Sequence, residues 1–104
     1  MNDEVVRRTT GMRARTLDEL TADYEELGVK FRRQVSKKVL RKAGARASVA
    51  FVFQTFDAEM DEYGEPQLML ATFKNSGGMY TRYSYFIVKN KKEAETIWNM
   101  AKEI

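Results

Sequence analysis

Eight bases and no acid occupy residues 30–46: Lys30, Arg32, Arg33, Lys37, Lys38, Arg41, Lys42 and Arg46. Side chains of this type at this density bind anions, above all the regularly spaced phosphates of a nucleic acid, releasing counterions and making affinity fall steeply with salt. Arg7, Arg8, Arg13 and Arg15 add four more in the first fifteen residues. The net charge is only +3, so the electrostatic argument rests on this clustering rather than on the total. Covalent and acid–base chemistry has little to draw on. With no His and no Cys, the chain lacks the side chain that titrates near neutrality and the best nucleophile. It has no nucleophile elbow, phosphate-cradling glycine loop or dinucleotide fingerprint. The acids Asp57, Glu59, Asp61, Glu62 and Glu65 crowd one stretch. Counted as a calcium loop from Asp57, the stretch has Glu62 where glycine is required and Leu68 where a bidentate glutamate is required. It reads as a solvated acidic loop, and as a contact for a basic patch, including that of a neighbouring copy. The expectation is a non-enzymatic binding protein with no cofactor, no metal and no small-molecule substrate.

The elements that position these charges follow from periodicity. Residues 1–15 hold Val5 and Val6 as their only bulky aliphatics and read as a basic flexible arm, followed by a single domain over 16–104. Thr16 and Glu19 have the spacing of a capping box. Leu17, Leu20, Tyr24, Leu27, Phe31, Val35 and Val39 then recur at steps of three and four, the spacing of one buried helical stripe. A long helix is expected, running through Gly28 with at most a gentle kink and closing at Gly44. On it Lys30, Arg33, Lys37 and Arg41 form a row of roughly 16 Å, opposite the apolar stripe. Reversing the charge of Lys37, Lys38 and Arg41 is expected to leave folding nearly intact.

Beyond Ala47 the period becomes two, giving a strand over 47–55, a polar loop over 57–66, a second strand over 67–74, a tight connection at Asn75-Ser76-Gly77-Gly78 and a third strand over 79–89. Asn90 and Glu93 make a second capping-box pair, and Ala94, Ile97, Trp98, Ala101 and Ile104 supply the apolar face of a short last helix. The implied fold is α+β, two-layer, in the order αβββα, with both helices on one face of a three-stranded antiparallel meander. Strands two and three carry apolar residues at both parities, which leaves room for self-association through the sheet.

Leu17-Asp-Glu-Leu20, followed by Phe31-Arg-Arg-Gln-Val35-Ser-Lys-Lys-Val39-Leu40-Arg-Lys-Ala43, resembles the opening helix of small tailed-phage head-to-tail completion (neck) proteins. The resemblance covers about a quarter of the chain. It implies a two-layer α+β subunit that assembles into a ring between capsid and tail, without catalytic residues. The alanine-proline and threonine-glycine segment that often follows that helix is missing here.

Three functional expectations share these surfaces. The first is a nucleic-acid-binding module, for DNA or RNA, using Arg7, Arg8, Arg13, Arg15, Lys30, Arg33, Lys37, Lys38, Arg41, Lys42 and Arg46. The second is a structural subunit of a viral assembly whose basic helix meets an acidic protein surface. The third is a small inhibitor or adaptor of a host protein machine. No apolar run is long enough to span a membrane and no signal-peptide layout opens the chain, so an intracellular setting, or a virion if viral, is expected. Each reading requires that the bases stand outward and are not neutralised by the carboxylates of residues 57–65.

Overall fold

The computed structural model describes residues 8–103. In it the first capping box forms, but the long helix does not. Thr16 Oγ1 accepts from the Glu19 N–H at 3.3 Å and the Glu19 carboxylate accepts from the Thr16 N–H at 3.2 Å. The turn then closes on one hydrogen bond, Leu20 N–H to Leu17 C=O at 3.3 Å, and the chain leaves as a strand. Leu27 and Gly28 both have positive φ, 53° and 80°. With Glu26 paired to Val29, this is a two-residue hairpin turn of the type whose twist matches that of the flanking strands. The glycine expected to kink a helix is the tip of a hairpin.

The order is β1 (Arg8–Gly11), β2 (Arg13–Ala14), β3 (Thr21–Glu26), β4 (Val29–Ala43), β5 (Arg46–Asp57), β6 (Glu62–Tyr63), β7 (Gln67–Ser76), β8 (Met79–Val88) and α1 (Lys91–Lys102). All pairings are antiparallel, and the sheet runs β1-β3-β4-β5-β7-β8-β2 with β6 beside β5. The expected αβββα fold, with its long first helix, is therefore replaced by a mostly β protein that has one short helix among the described residues. The meander over β5, β7 and β8 is present, but it forms the middle of a larger curled sheet. Residues 1–7 of the expected arm lie outside the described residues; from Arg8 the chain belongs to the sheet.

Both ends of the strand path fall on one N-terminal segment. Thr10 and Gly11 pair with β3, while Arg13 and Ala14, just past Met12, pair with β8. Met12 C=O accepts from the Arg82 N–H at 3.2 Å. The sheet thus curls into a half-barrel. At the crossing, a Cβ on Gly11 would lie 2.1 Å from Thr21 Cγ2 and 2.7 Å from the Thr21 backbone N and O. Gly11→Ala is expected to push β1 off β3 and cost about 1–3 kcal/mol, the usual penalty for overpacking, read as a lower urea midpoint.

Two bulges explain why β4 imitates a helix. Its ladder with β5 slips between Gln34 and Ser36 and again between Val39 and Arg41. The residues facing the core side, opposite Thr55, Phe53, Phe51, Val49 and Ala47, are consequently Arg32, Gln34, Lys37, Val39 and Lys42. Their alternating steps of two and three hide the period of a strand, and each bulge adds the local twist that curls the sheet. The concave face holds the core cluster: Val49, Phe51 and Phe53 of β5, Met69, Ala71 and Phe73 of β7, Tyr80 of β8, Leu20 just before β3 and Ala22 within it; Val88 of β8 is also buried but lies outside this cluster.

The second capping pair is also made, with Asn90 accepting from the Glu93 N–H at 2.8 Å, and here a helix does form. It does not pack as a layer. No residue of α1 is buried, and Trp98 is 63% exposed. Ile104, the last residue of its expected apolar face, lies outside the described residues.

Candidate polyanion interface

The basic stretch divides into two halves with different work. Toward the start of β4 the bases serve the fold. Lys30 Nζ lies 3.6 Å from Asp23 Oδ2. Arg33 stacks on Tyr63, 3.8 Å from the ring centroid, and its Nε donates to Gln54 Oε1 at 2.9 Å. Gln54 in turn donates to Gly64 C=O at 3.0 Å, so this cluster pins the 57–66 loop to β4. Arg32 reaches over the Phe53 ring at 5.0 Å.

Lys37 is the clearest departure from expectation. It faces the core opposite Phe51, and its ammonium donates to the backbone carbonyls of Leu17, Asp18 (3.0 Å) and Leu20 (2.7 Å). It closes the carboxyl end of the 16–20 turn as a cation closes a helix end. Burial pushes its pKa below the ordinary lysine value, and the nearby Asp18 carboxylate works in the opposite direction. Lys37 therefore belongs to the fold, and reversing its charge would disrupt the turn it caps.

Toward the Gly44-Ala45 turn the bases stand free. Lys38, Arg41 and Lys42 are exposed and make no side-chain hydrogen bond or ion pair among the described residues, and Arg46 makes only a loose contact with Tyr83, 5.7 Å from the ring centroid. Residues 57–65 cannot neutralise them, because that loop leaves the far end of β5, roughly 35 Å of strand away from Arg46. The acidic loop and these free bases sit at opposite ends of the longest hairpin. The expected helical row of Lys30, Arg33, Lys37 and Arg41 does not exist; on β4 the same residues stretch over roughly 36 Å, and the bulges turn Lys37 inward.

Sheet register builds a different row. Directly cross-strand partners share a face. The ladder runs Arg13–Thr81 between β2 and β8, Thr81–Lys74 between β8 and β7, and Lys74–Arg46 between β7 and β5. Arg13, Lys74 and Arg46 thus lie in one line across roughly 14 Å of the convex face. The neighbouring line is Arg41–Ser48–Thr72–Ser84, a fourth cation followed by three hydroxyls. Arg41, Arg46, Ser48 and Thr72 line a depression of about 270 Å³. Tyr83 sits beside it at the β7–β8 bulge, 53% exposed. Arg15 and Lys42 line a second depression, of about 360 Å³, together with Asp18, Thr16, Asn75 and Tyr80.

Of the candidate residues read from the sequence, Arg13, Arg15, Lys38, Arg41, Lys42 and Arg46 gather at this end of the sheet. Lys30, Arg33 and Lys37 do not. Arg7 lies outside the described residues, and Arg8 pairs through its backbone with Glu26 at the β1 edge. Sequence patterns do not point to Lys74 and Tyr83, since only register places them here. The one sequence signal for Lys74 is its position just before the Asn-Ser-Gly-Gly turn, which sets it level with the Gly44-Ala45 turn of the adjoining hairpin.

The fold and this surface define a small curled antiparallel β protein with a cationic, hydroxyl-bearing patch at one end. Compared with protein-family models, with curated proteins and with solved structures, the chain has no match. The residues that resemble a neck-protein helix, 17–43, form a turn and strands β3 and β4. Among the described residues, no helix is long and apolar enough to cross a membrane.

Proposed function

We propose that this protein is a non-enzymatic nucleic-acid-binding module whose contact surface is the convex face at the Gly44-Ala45 end of the sheet. One observation carries the reading: the line of Arg13, Lys74 and Arg46, flanked by Arg41, with no carboxylate paired to any of them among the described residues. Such a line tracks a phosphate backbone, the hydroxyls of Ser48, Thr72 and Ser84 donate to phosphate oxygens, and the exposed Tyr83 ring offers a stacking surface for a base. No groove-reading helix belongs to the patch among the described residues, which favours binding that is independent of sequence and dominated by salt.

The test is fluorescence anisotropy with labelled single-stranded DNA, single-stranded RNA and duplex of about 20 nucleotides, at about 50 and about 200 mM salt, on wild type and on the Arg41→Gln/Arg46→Gln/Lys74→Gln variant. Loss of three phosphate contacts should lower the slope of log affinity against log salt by about 2–3 and weaken low-salt binding by at least tenfold, with an unchanged thermal midpoint. Equal affinity of variant and wild type sinks the proposal.

The uncovered apolar side chains of α1, Ile97, Trp98 and Met100, favour a second reading, a subunit of a larger assembly. Light scattering on the same samples separates the two: self-association without oligonucleotide that survives the triple substitution supports assembly.

A further inference from the structure

The hollow of the half-barrel opens toward the end remote from the Gly44-Ala45 turn as a cavity of about 380 Å³, within the range of small-ligand pockets. Its lining is mixed: Met12, Ala22, Phe31 and Met69 form the apolar part, and two arginines, Arg32 of β4 and Arg82 of β8, also line it. Both arginines are half-buried. Arg82 lies 3.8 Å from the Tyr85 ring centroid and 3.6 Å from Met69 Sδ, and Arg32 lies against Phe53. Among the described residues neither is ion-paired. The one carboxylate in the lining, that of Asp23, is committed elsewhere: Oδ1 accepts from the Gln34 N–H at 2.7 Å, and Oδ2 faces Lys30.

Two partly desolvated cations lining one hollow, with no counter-ion paired to either among the described residues, form a costly arrangement unless an anion completes it. Each guanidinium has a face against a ring, and one Arg82 N–H donates to Met69 Sδ, which leaves the remaining N–H groups for an oxygen pair. We propose that this cavity binds a small organic carboxylate, with its apolar body against Met12, Phe31 and Met69 and its carboxylate toward Arg32 and Arg82. The site shares no residue with the convex basic patch, so it stands or falls independently of the nucleic-acid reading.

Amide NMR titration of the full chain with sodium octanoate tests it, with octanamide as the uncharged match and octyl phosphate as the alternative anion. Octanoate should shift the amides of Ala22, Arg32, Met69 and Arg82 saturably, octanamide should bind at least about tenfold more weakly, and Arg82→Gln should cost octanoate about tenfold in affinity. Equal binding of octanoate and octanamide, or shifts confined to α1, overturns the proposal, as does the absence of any shift. Tighter binding of octyl phosphate than of octanoate overturns the assignment to a carboxylate. Should Arg82→Gln fail to fold, the ratio of octanoate to octanamide on the unaltered protein still decides.

Discussion

Lys37→Glu is expected to lower stability by about 3 kcal/mol or more, while Lys38→Glu, one residue along, changes it by less than about 0.5 kcal/mol. The difference comes from the side each residue faces. The Lys37 ammonium holds the carbonyls of Leu17, Asp18 and Leu20 together; a carboxylate there would confront three carbonyl oxygens and the Asp18 side chain. Lys37→Met keeps the apolar stem and loses only the hydrogen bonds, so it should fall between the two, at about 1.5–3 kcal/mol. In a domain of this size each kcal/mol moves the thermal midpoint by about 4–8 °C, which puts the glutamate variant more than about 12 °C below wild type. Urea unfolding of the three variants checks it, and equal midpoints for Lys37→Glu and Lys38→Glu would show that Lys37 is not a structural cap.

Phe51→Ala should cost about 3–5 kcal/mol, the usual range for emptying a buried aromatic site. Phe51 is fully buried, meets Phe73 edge-on at 6.2 Å between ring centroids, and is paired with Lys37 on one side and Met69 on the other. The cavity would open where the strands that carry most of the core meet. Phe86 is the control. It stands on the convex face opposite Leu70, 49% exposed, and Phe86→Ala should cost under about 1 kcal/mol. The pair of substitutions tests which face of the sheet carries the core: similar losses for both would require the convex face to be covered as well.

The contrast between the two halves of the chain shows how much one-dimensional patterns carry. β5 is legible because its side chains alternate cleanly, and β7 and β8 because they are rich in strand-forming residues and joined by the turn residues the geometry demands, Gly77-Gly78 above all, although β8 carries a bulge at Tyr83. β4 is not, because two bulges turn a period of two into steps of two and three, and its Lys, Arg, Gln and Leu residues have good intrinsic helix propensity. The residues of the Thr16-x-x-Glu19 box make their expected hydrogen bonds, but they cap a single turn, since a cap does not set the length of the element it opens. Gly28 carries the decisive information. Within a helical stripe it is a defect; with positive φ at both Leu27 and Gly28 it is the reversal point that pairs Glu26 with Val29.

Within the candidate site, composition alone located the excess of bases and the absence of His and Cys. Which bases remain free depended on tertiary structure. Lys37 and Lys38 are chemically identical neighbours, separated only by the pleat that turns successive side chains to opposite faces. The bulge at Gln34–Ser36 decides which of them meets the core. Likewise Arg13, Arg46 and Lys74 are remote in sequence and become one line only because antiparallel register sets their strands side by side. Charge and residue type are local properties, fixed once the chain is written. The face a side chain occupies is a pairing property, set by hydrogen bonds between strands far apart in the chain, and only the folded sheet assigns it.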